Sequence, residues 1–302
     1  MNKNKNISIV IATADRSRCV LDCVESFKSQ VPENLELIVV DAGSDDPVDE
    51  GALKEIWANS RVLRSRERNA SIQRNMGVGA AAGDIIIFLD DDTIVNSGWW
   101  PVIIDPLADP KVGVVQGGIH SSKKPHLRSD RGGYVKWSGF TEACLERGEN
   151  APREIDSPMT TNMAVHKSVY EAVGGLAPIY VVYDEDVDFG LKVRKAGWKI
   201  IHEPRASVYH YGHRIWRPPA TKQAAFRKGR NRSILLVRNY GLFSRLMFFV
   251  VIAPFWKFFE AVQDSARFVF KSFGHAAAYV LGVFAGVVVG LKHPVDEDTL
   301  DK

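Results

Sequence analysis

Asp84-Ile85-Ile86-Ile87-Phe88-Leu89-Asp90-Asp91-Asp92 is the stretch on which the fold turns, five consecutive apolar residues running into three carboxylates. A short, uninterrupted apolar run fits a central parallel strand covered on both faces, because a strand with one wet face alternates instead. In open α/β sheets, ligands bind just beyond the carboxyl ends of such strands. Three acids placed there repel one another beside low-dielectric protein, and a cation relieves them. Mg2+ or Mn2+ carrying phosphates is the natural candidate, since hard divalent ions take a few carboxylates plus substrate oxygens. The competing reading of the triplet taken alone is a solvated acidic loop.

Around this run the first third of the chain alternates strand and helix. Ile7 to Ala12 reads as a strand and Ser17 to Gln30 as an amphipathic helix. Leu35 to Val40 is a second strand, followed by the turn Asp41-Ala42-Gly43-Ser44-Asp45-Asp46. Leu53 to Ala58 reads as helix, Val62-Leu63 as a short strand, and Ser71 to Ala82 as a small-residue helix ended by Gly83. This βαβα rhythm implies an α/β fold with a mainly parallel central sheet and right-handed crossovers, flanked by helices. No GxGxxG or GxxxxGK[ST] stands at a strand-to-helix junction, which excludes the dinucleotide fingerprint and the P-loop. Further on, Gly117-Gly118 and Arg131-Gly132-Gly133 suggest mobile loops, and Pro218-Pro219 marks a boundary.

The 302 residues suffice for one large α/β domain or two smaller ones, and an apolar fraction of 45% with 25% charged residues argues against disorder. The net charge of +3 says little, but its distribution is one-sided: no Asp or Glu stands between Glu203 and Glu260. Arg205, Arg214, Arg217, Lys222, Arg227, Lys228, Arg230, Arg232, Arg238, Arg245 and Lys257 fill that block, which points to an anionic partner. Cys19, Cys23 and Cys144 form no disulfide framework and suit a reducing cytosol; the first two lie one turn apart on a helix, where core packing is the simpler reading than a metal pair. The apolar stretch after the N-terminus breaks at Asp15-Arg16 and is too short for a signal peptide.

Leu246 to Trp256 and Ala276 to Leu291 are apolar but fall short of the roughly 20 residues a spanning helix needs. Gly282, Gly286 and Gly290, at four-residue spacing, make a small-residue ridge suited to close helix packing. Buried core helices are one reading. The basic block upstream favours interfacial membrane helices.

Several acids need a common explanation. Asp41 ends the second strand as Asp90 ends the fourth, so both reach one edge of a parallel sheet. A carboxylate there can accept a hydrogen bond from N3–H of a uracil or thymine ring, with Gly43 allowing close backbone approach; the alternative is an ordinary Asp/Gly turn. Arg74-Asn75 either contacts pyrophosphate, fixes nearby loops or makes a surface ion pair, and Gly77 and Gly79 read as close packing. In Tyr183-Asp184-Glu185-Asp186-Val187-Asp188, four acids gather at a helix start, where the macrodipole favours negative charge. One of them is a candidate base for an acceptor hydroxyl. His210 and His213 offer imidazoles to a metal or a phosphate.

Six motifs now stand in order: Ser8-Ile9-Val10-Ile11-Ala12-Thr13-Ala14-Asp15-Arg16, Ile38-Val39-Val40-Asp41-Ala42-Gly43-Ser44-Asp45-Asp46, Arg74-Asn75-Met76-Gly77, Phe88-Leu89-Asp90-Asp91-Asp92, Asn162-Met163-Ala164 with Val173-Gly174-Gly175, and Glu185-Asp186-Val187-Asp188. Together the chain resembles family 2 glycosyltransferases of the GT-A fold, including those that extend lipid-linked glycans, over about residues 7 to 213. The resemblance implies that Asp90-Asp91-Asp92 is the DxD element, with Asp92 and Asp90 at the metal, where the imidazole of His210 is a further candidate ligand. It implies that Asp186 is the catalytic base of the ED motif, and that Ala12, Thr13, Asp15, Arg16, Asp41, Gly43, Arg74, Asp90 and Asp91 line the donor site. It further implies a nucleotide-sugar-binding half at 1–115 and an acceptor and catalytic half at 116–213; the basic and apolar composition beyond them indicates a helical, membrane-associated extension at 214–302.

Two departures qualify this. Ala42 replaces the second acid of the family's VVDDGS turn, and there is no QxxRW motif, which argues against processive synthesis. The expected activity is therefore inverting, Mg2+- or Mn2+-dependent, non-processive transfer from a UDP- or dTDP-sugar. The acceptor is a glycan hydroxyl, lipid-linked, at the cytoplasmic face of the cell membrane, where the protein is peripheral or monotopic; no nucleic acid is involved. A sugar-nucleotide-forming nucleotidyltransferase would show a Gly-rich, basic loop after the first strand, which Ala12-Thr13-Ala14-Asp15-Arg16 lacks. A non-catalytic glycan-binding scaffold would have lost the acid at 92 or 186. A haloacid-dehalogenase-type phosphatase is set aside because Ile94 stands where its DxDx[TV] strand needs Thr or Val.

Overall fold

The computed structural model describes residues 6–121, 132–136, 141–143, 151–180, 183–211, 222–240 and 269–292. Cys144, His213, Pro218-Pro219 and the segment Leu246 to Trp256 lie outside the described residues.

The strands β1 (Ile7–Thr13), β2 (Glu36–Ala42), β3 (Ser60–Ser65) and β4 (Ile85–Asp90) are all parallel, in the order β3-β2-β1-β4. The helices α1 (Ser17–Lys28), α2 (Glu50–Ile56) and α3 (Ala70–Ala80) are the crossovers between them. Beyond β4 the sheet continues with the antiparallel strand β10 (Asn162–His166), then β6 (Val112–Ser121) and β11 (Lys199–His210), with β5 (Thr93–Val95) at the edge and β9 (Arg153–Ile155) also paired to β11, while β7 (Gly133–Val135), which takes up a glycine expected in a loop, and β8 (Thr141–Ala143) form a separate pair. The sheet therefore runs unbroken through position 115, inside β6.

Strand periodicity divides the core. Ile9, Ile11, Leu37, Val39, Ile85, Ile87 and Leu89 point to one face, where Val20, Cys23, Val24 and Phe27 of α1 and Leu53 of α2 cover them. Val10, Ile38, Val40, Ile86 and Phe88 point to the other and meet Val78 of α3. The same face packs Val169 and Tyr170 of α4 (Lys167–Ala172), and Phe189 and Val193 of α5 (Glu185–Lys195). The continuous apolar run of β4 is thus buried on both sides, each large side chain contributing about 1.5–3 kcal/mol. Gly77 packs onto Val10, where a Cβ would collide; Gly79 has open space around it, so only the first of the two is required by packing.

Element ends follow local chemistry. The Asp49 side chain accepts from Ala52 N at 3.0 Å, which starts α2 three residues earlier than the apolar pattern indicated. The Asn69 side chain accepts from Ser71 N and Ile72 N and starts α3.

Gly117 and Gly118 are not loop glycines; they lie within β6. Its neighbour β11 carries a bulge: Glu203 faces Gly117 and Val208 faces Ile119, so five steps along β11 span two along β6. The bulge's carbonyls lie over the two glycines, and a Cβ on Gly117 would strike Ala206 O while one on Gly118 would sit 2.8 Å from Pro204 O. The buried Asn162 amide donates to Ala206 O at 2.8 Å and Gly118 O at 3.1 Å, satisfying the displaced backbone.

The C-terminal region contributes α6 (Lys222–Asn239) and α7 (Val269–Lys292), which pack along each other. Gly282 sits on the carbonyl of Phe226, Gly286 on that of Arg230 and Gly229 on that of Tyr279, so the glycine ridge serves this internal contact. Among the described residues no helix is long and apolar enough to cross a membrane.

Candidate functional site

From β1 the chain moves to β2 and β3 on one side, then returns to place β4 on the other, and such a reversal opens a crevice at the carboxyl ends of the strands. The strands end level there: Ala12 lies opposite Asp90, and Thr13 opposite Asp41. Each member of the acid triplet has its own set of partners, with Arg16 common to two of them. Asp90 accepts from Arg74 Nη2 at 2.7 Å and from Thr161 Oγ1 at 2.8 Å. Asp91 turns inward, its side chain wholly buried, and accepts from Thr13 Oγ1 at 2.6 Å while pairing with Arg16 Nη2 at 2.8 Å. Burial raises its pKa to about 7 against the pull of Arg16. Asp92 meets Arg16 Nη1 at 3.1 Å and His210 Nε2 at 3.0 Å. The repulsion expected within the triplet is thus relieved by the protein's own cations, Arg16 bridging two of its members.

Asp90, Asp92 and His210, all half-buried, bring one ligand atom each within 4.8 Å of one another. Two carboxylates and an imidazole form a donor set that fits Mg2+ or Mn2+, with the imidazole suiting the latter better. The imidazole arrives on the strand segment beyond the β11 bulge, where His210 pairs with Thr93 of β5.

Asp41 is 1% exposed, and both its oxygens are engaged: Ser44 Oγ on one, Val48 N at 2.9 Å and Arg64 on the other. In this conformation it holds the turn that follows β2, and contact with a nucleobase requires exchanging one of those bonds. Gly43 takes φ +51°, the left-handed region that favours glycine. Asp15 adopts φ 56°, accepts from Asp45 N at 2.6 Å and pairs with Arg68 at 2.7 Å. The amide of Asp45, followed by Arg68, lowers its pKa in spite of partial desolvation.

Arg74 is 8% exposed on its side chain and links two acidic centres: 2.7 Å from Asp90 and 3.9 Å from Glu185 at the start of α5. Its neighbour Asn75 donates to Leu176 O and accepts from Tyr170 Oη, tying α3 to the segment before α5. Of the earlier readings for Arg74-Asn75, fixing nearby elements describes these contacts. Asp186 is half-buried, with Oδ1 accepting from Val187 N at 2.9 Å. Burial, then the charges of Glu185 and Asp184, hold its pKa well above the carboxylate range.

The flanking acids have structural partners. Tyr183 and Asp184 take φ 73° and 69°, two consecutive left-handed residues without a glycine, costing about 1–2 kcal/mol each. Asp184 pairs with Arg232 Nη2 at 3.0 Å, and the fully buried Asp188 accepts from Asn239 Nδ2 at 2.8 Å and Tyr180 Oη at 3.2 Å. Sequence reasoning missed Thr161 and the α6 side chains. The first stood one residue before a motif already quoted, and the second lay in a basic block matched only to outside anions.

The pattern of Glycosyl transferase family 2 matches residues 8–173. An uncharacterized protein of Sinorhizobium fredii is 30% identical over 224 residues, 68% of this chain but 24% of that protein. An N-acetylglucosaminyl-diphospho-decaprenol L-rhamnosyltransferase of Mycobacterium tuberculosis is 28% identical over 223 residues, 64% of this chain and 72% of the relative. Among solved structures, GalNAc-T7 with UDP, GalNAc and Mn2+ superposes with a TM-score of 0.64 at 15% identity, covering 85% of this chain and 51% of that one. The mannosyltransferase PcManGT of Pyrobaculum calidifontis, in complex with GDP-Man and Mn2+, superposes at 0.57 and 13% identity, covering 95% and 88%. With the pattern spanning more than half of its length, and the strand-end acids and sheet order in place, the chain belongs to glycosyl transferase family 2.

Proposed function

We propose that the protein is an inverting, non-processive glycosyltransferase that moves a sugar from UDP or dTDP to a hydroxyl of a lipid-linked glycan. One observation carries this reading: a single buried guanidinium, Arg74, joins the Asp90/Asp92/His210 cluster to the helix start that bears Asp186. A leaving-group site and a proton acceptor thereby share one crevice. Asp186 takes the acceptor hydroxyl's proton as that oxygen bonds the anomeric carbon. The bond to the nucleoside diphosphate breaks on the opposite face, so configuration inverts. Asp90, Asp92 and His210 would hold Mg2+ or Mn2+, which offsets charge on the departing diphosphate. The lipid-linked acceptor takes support from the mycobacterial relative, whose name specifies a diphospho-decaprenol substrate.

Peripheral attachment to the cytoplasmic face of a membrane belongs to the same proposal. Leu281, Phe284, Val288 and Leu291 form an exposed stripe on α7, each 55–67% accessible, at helical spacing. The test is product formation from a panel of UDP- and dTDP-sugars with polyprenyl-diphosphate acceptors, with Mn2+ and with chelator. Hydrolysis or transfer that persists undiminished in excess chelator overturns the metal-dependent reading.

A further inference from the structure

The acids around Asp186 and the basic block that follows β11 are complementary, and the contacts between them are specific. Within α6 every ionisable side chain is basic, six in all. Four of its residues grip the segment carrying the candidate base. Arg230 Nη1 donates to Ile179 O at 3.1 Å, and Asn231 Nδ2 donates to Tyr183 O at 2.9 Å. Arg232 pairs with Asp184 at 3.0 Å, and Asn239 donates to Asp188 at 2.8 Å. Lys228 Nζ also lies 5.8 Å from the centre of the Tyr183 ring. These contacts bracket Glu185-Asp186 on both sides. Three of them fall on Tyr183 and Asp184, the consecutive non-glycine residues at positive φ.

A backbone held in that region relaxes unless its surroundings over-determine it. Asn231 is 2% exposed and Asp184 9%, so water does not substitute for the clamp. Ile234 of α6 packs with Tyr180 and Ala177 just upstream, which fixes the helix against the same segment. In turn α7 holds α6 through contacts at Gly282 and Gly286 that leave no room for a side chain.

We propose that α6 is the positioning element for Asp186, with Asn231 and Arg232 as positioning residues that keep the left-handed Tyr183-Asp184 turn and thereby aim the carboxylate. The inference rests on the reading of Asp186 as the base, and it extends the transfer site to a helix beyond the residues matched by the family pattern. No role for the C-terminal region in the chemistry follows from the sheet domain alone.

The test uses the full chain carrying Asn231→Ala, Arg232→Ala and Arg232→Lys, with two readouts. Hydrogen exchange of the peptide over residues 183–190 should rise about tenfold or more in both alanine variants while the β4 peptide keeps its protection, because only the local clamp is lost. With an acceptor and a nucleotide sugar, kcat should fall about 10- to 100-fold, as misplacement of a reacting group by an ångström does. Nucleotide affinity should stay within about threefold of wild type, because donor and metal residues are untouched, and Arg232→Lys should recover most of the rate. Unchanged exchange over 183–190 overturns the clamp. Raised exchange with kcat within about twofold of wild type overturns its role in aiming Asp186. If the alanine variants lose protection in β4 as well, Arg232→Gln carries the same two readouts in their place, and the same outcomes decide. Absence of transfer in the wild-type protein counts against the proposed activity, while the exchange arm still decides whether α6 holds the turn.

Discussion

Replacing Arg74 by Met removes the one guanidinium shared by the two acidic centres while keeping most of the side-chain volume. The side chain is 8% exposed and pairs with Asp90 at 2.7 Å and Glu185 at 3.9 Å. Its loss leaves two carboxylates without their buried counter-charge, and breaking such a pair costs about 3–5 kcal/mol. At roughly 2–4 °C per kcal/mol for a chain of about this size, the melting temperature should drop by about 6–20 °C. The loss should depend on pH in a defined direction. Burial already raises the pKa of Glu185, and Arg74 is the main influence opposing it. Without Arg74 the folded-state pKa rises further above the unfolded value. The ionised form then destabilises the fold above that raised pKa, and protonation restores stability as pH falls below it. Urea unfolding followed by the fluorescence of buried Trp57 and Trp99, at about pH 7 and about pH 5, reads both effects. A loss below about 1 kcal/mol, or an equal loss at both pH values, would refute the shared-counterion argument.

Asp92→Ala should abolish manganese-dependent nucleotide binding and transfer with the fold intact; calorimetric titration of UDP or dTDP with and without Mn2+ checks it, and retained metal dependence would remove Asp92 from the site. Asp186→Asn should lower kcat by about 10²-fold or more and leave nucleotide affinity unchanged. Because burial and neighbouring acids raise the Asp186 pKa, wild-type kcat should decline as pH falls through a value above the ordinary carboxylate range, and the Asn variant should lack that limb. Gly286→Leu, which puts a side chain on the carbonyl of Arg230, should separate α6 from α7 and cost about 1–3 kcal/mol or more by urea unfolding. Leu281→Glu with Phe284→Glu should release the protein from anionic liposomes if the α7 stripe docks on lipid, and unchanged co-sedimentation would discard that surface.

The sheet was readable because its strands are buried on both faces, which is what the short, uninterrupted apolar run Ile85 to Leu89 fits. The convergence of Ala12, Asp41 and Asp90 followed from parallel pairing alone. The division of labour among the acids did not follow. Asp91 and Asp92 are adjacent in the turn after β4 and share Arg16, and which one turned inward depended on Thr13 at the end of the neighbouring strand. Asp41 looked available because its partners, Ser44 and Arg64, come from a later turn and another strand. Gly117-Gly118 resembled a loop because the bulge that demands them lies nearly ninety residues downstream, in β11. The basic block was half understood. Its charge was evident from composition, but Arg232 and Asn239 find their partners at Asp184 and Asp188, and no local periodicity announces a contact across that distance.

The β11 bulge has a consequence for which kinds of change this protein tolerates. Side chains on a strand alternate between its faces, and the bulge supplies a surplus of three residues, an odd number. Without it the strand would run on in register and present Ser207 opposite Ser121, where His210 now stands, leaving the imidazole past the end of the pairing and facing the other way. The segment from Pro204 to Ser207 therefore acts as a spacer whose parity, more than its spelling, delivers the histidine to Asp92. Arg205 makes a bidentate ion pair with the buried Glu203, so a substitution there weakens the fold locally but leaves the spacing intact. Insertion or deletion of a single residue beside it is a different kind of event, one that rewrites the candidate metal site from a distance without touching any of its ligands.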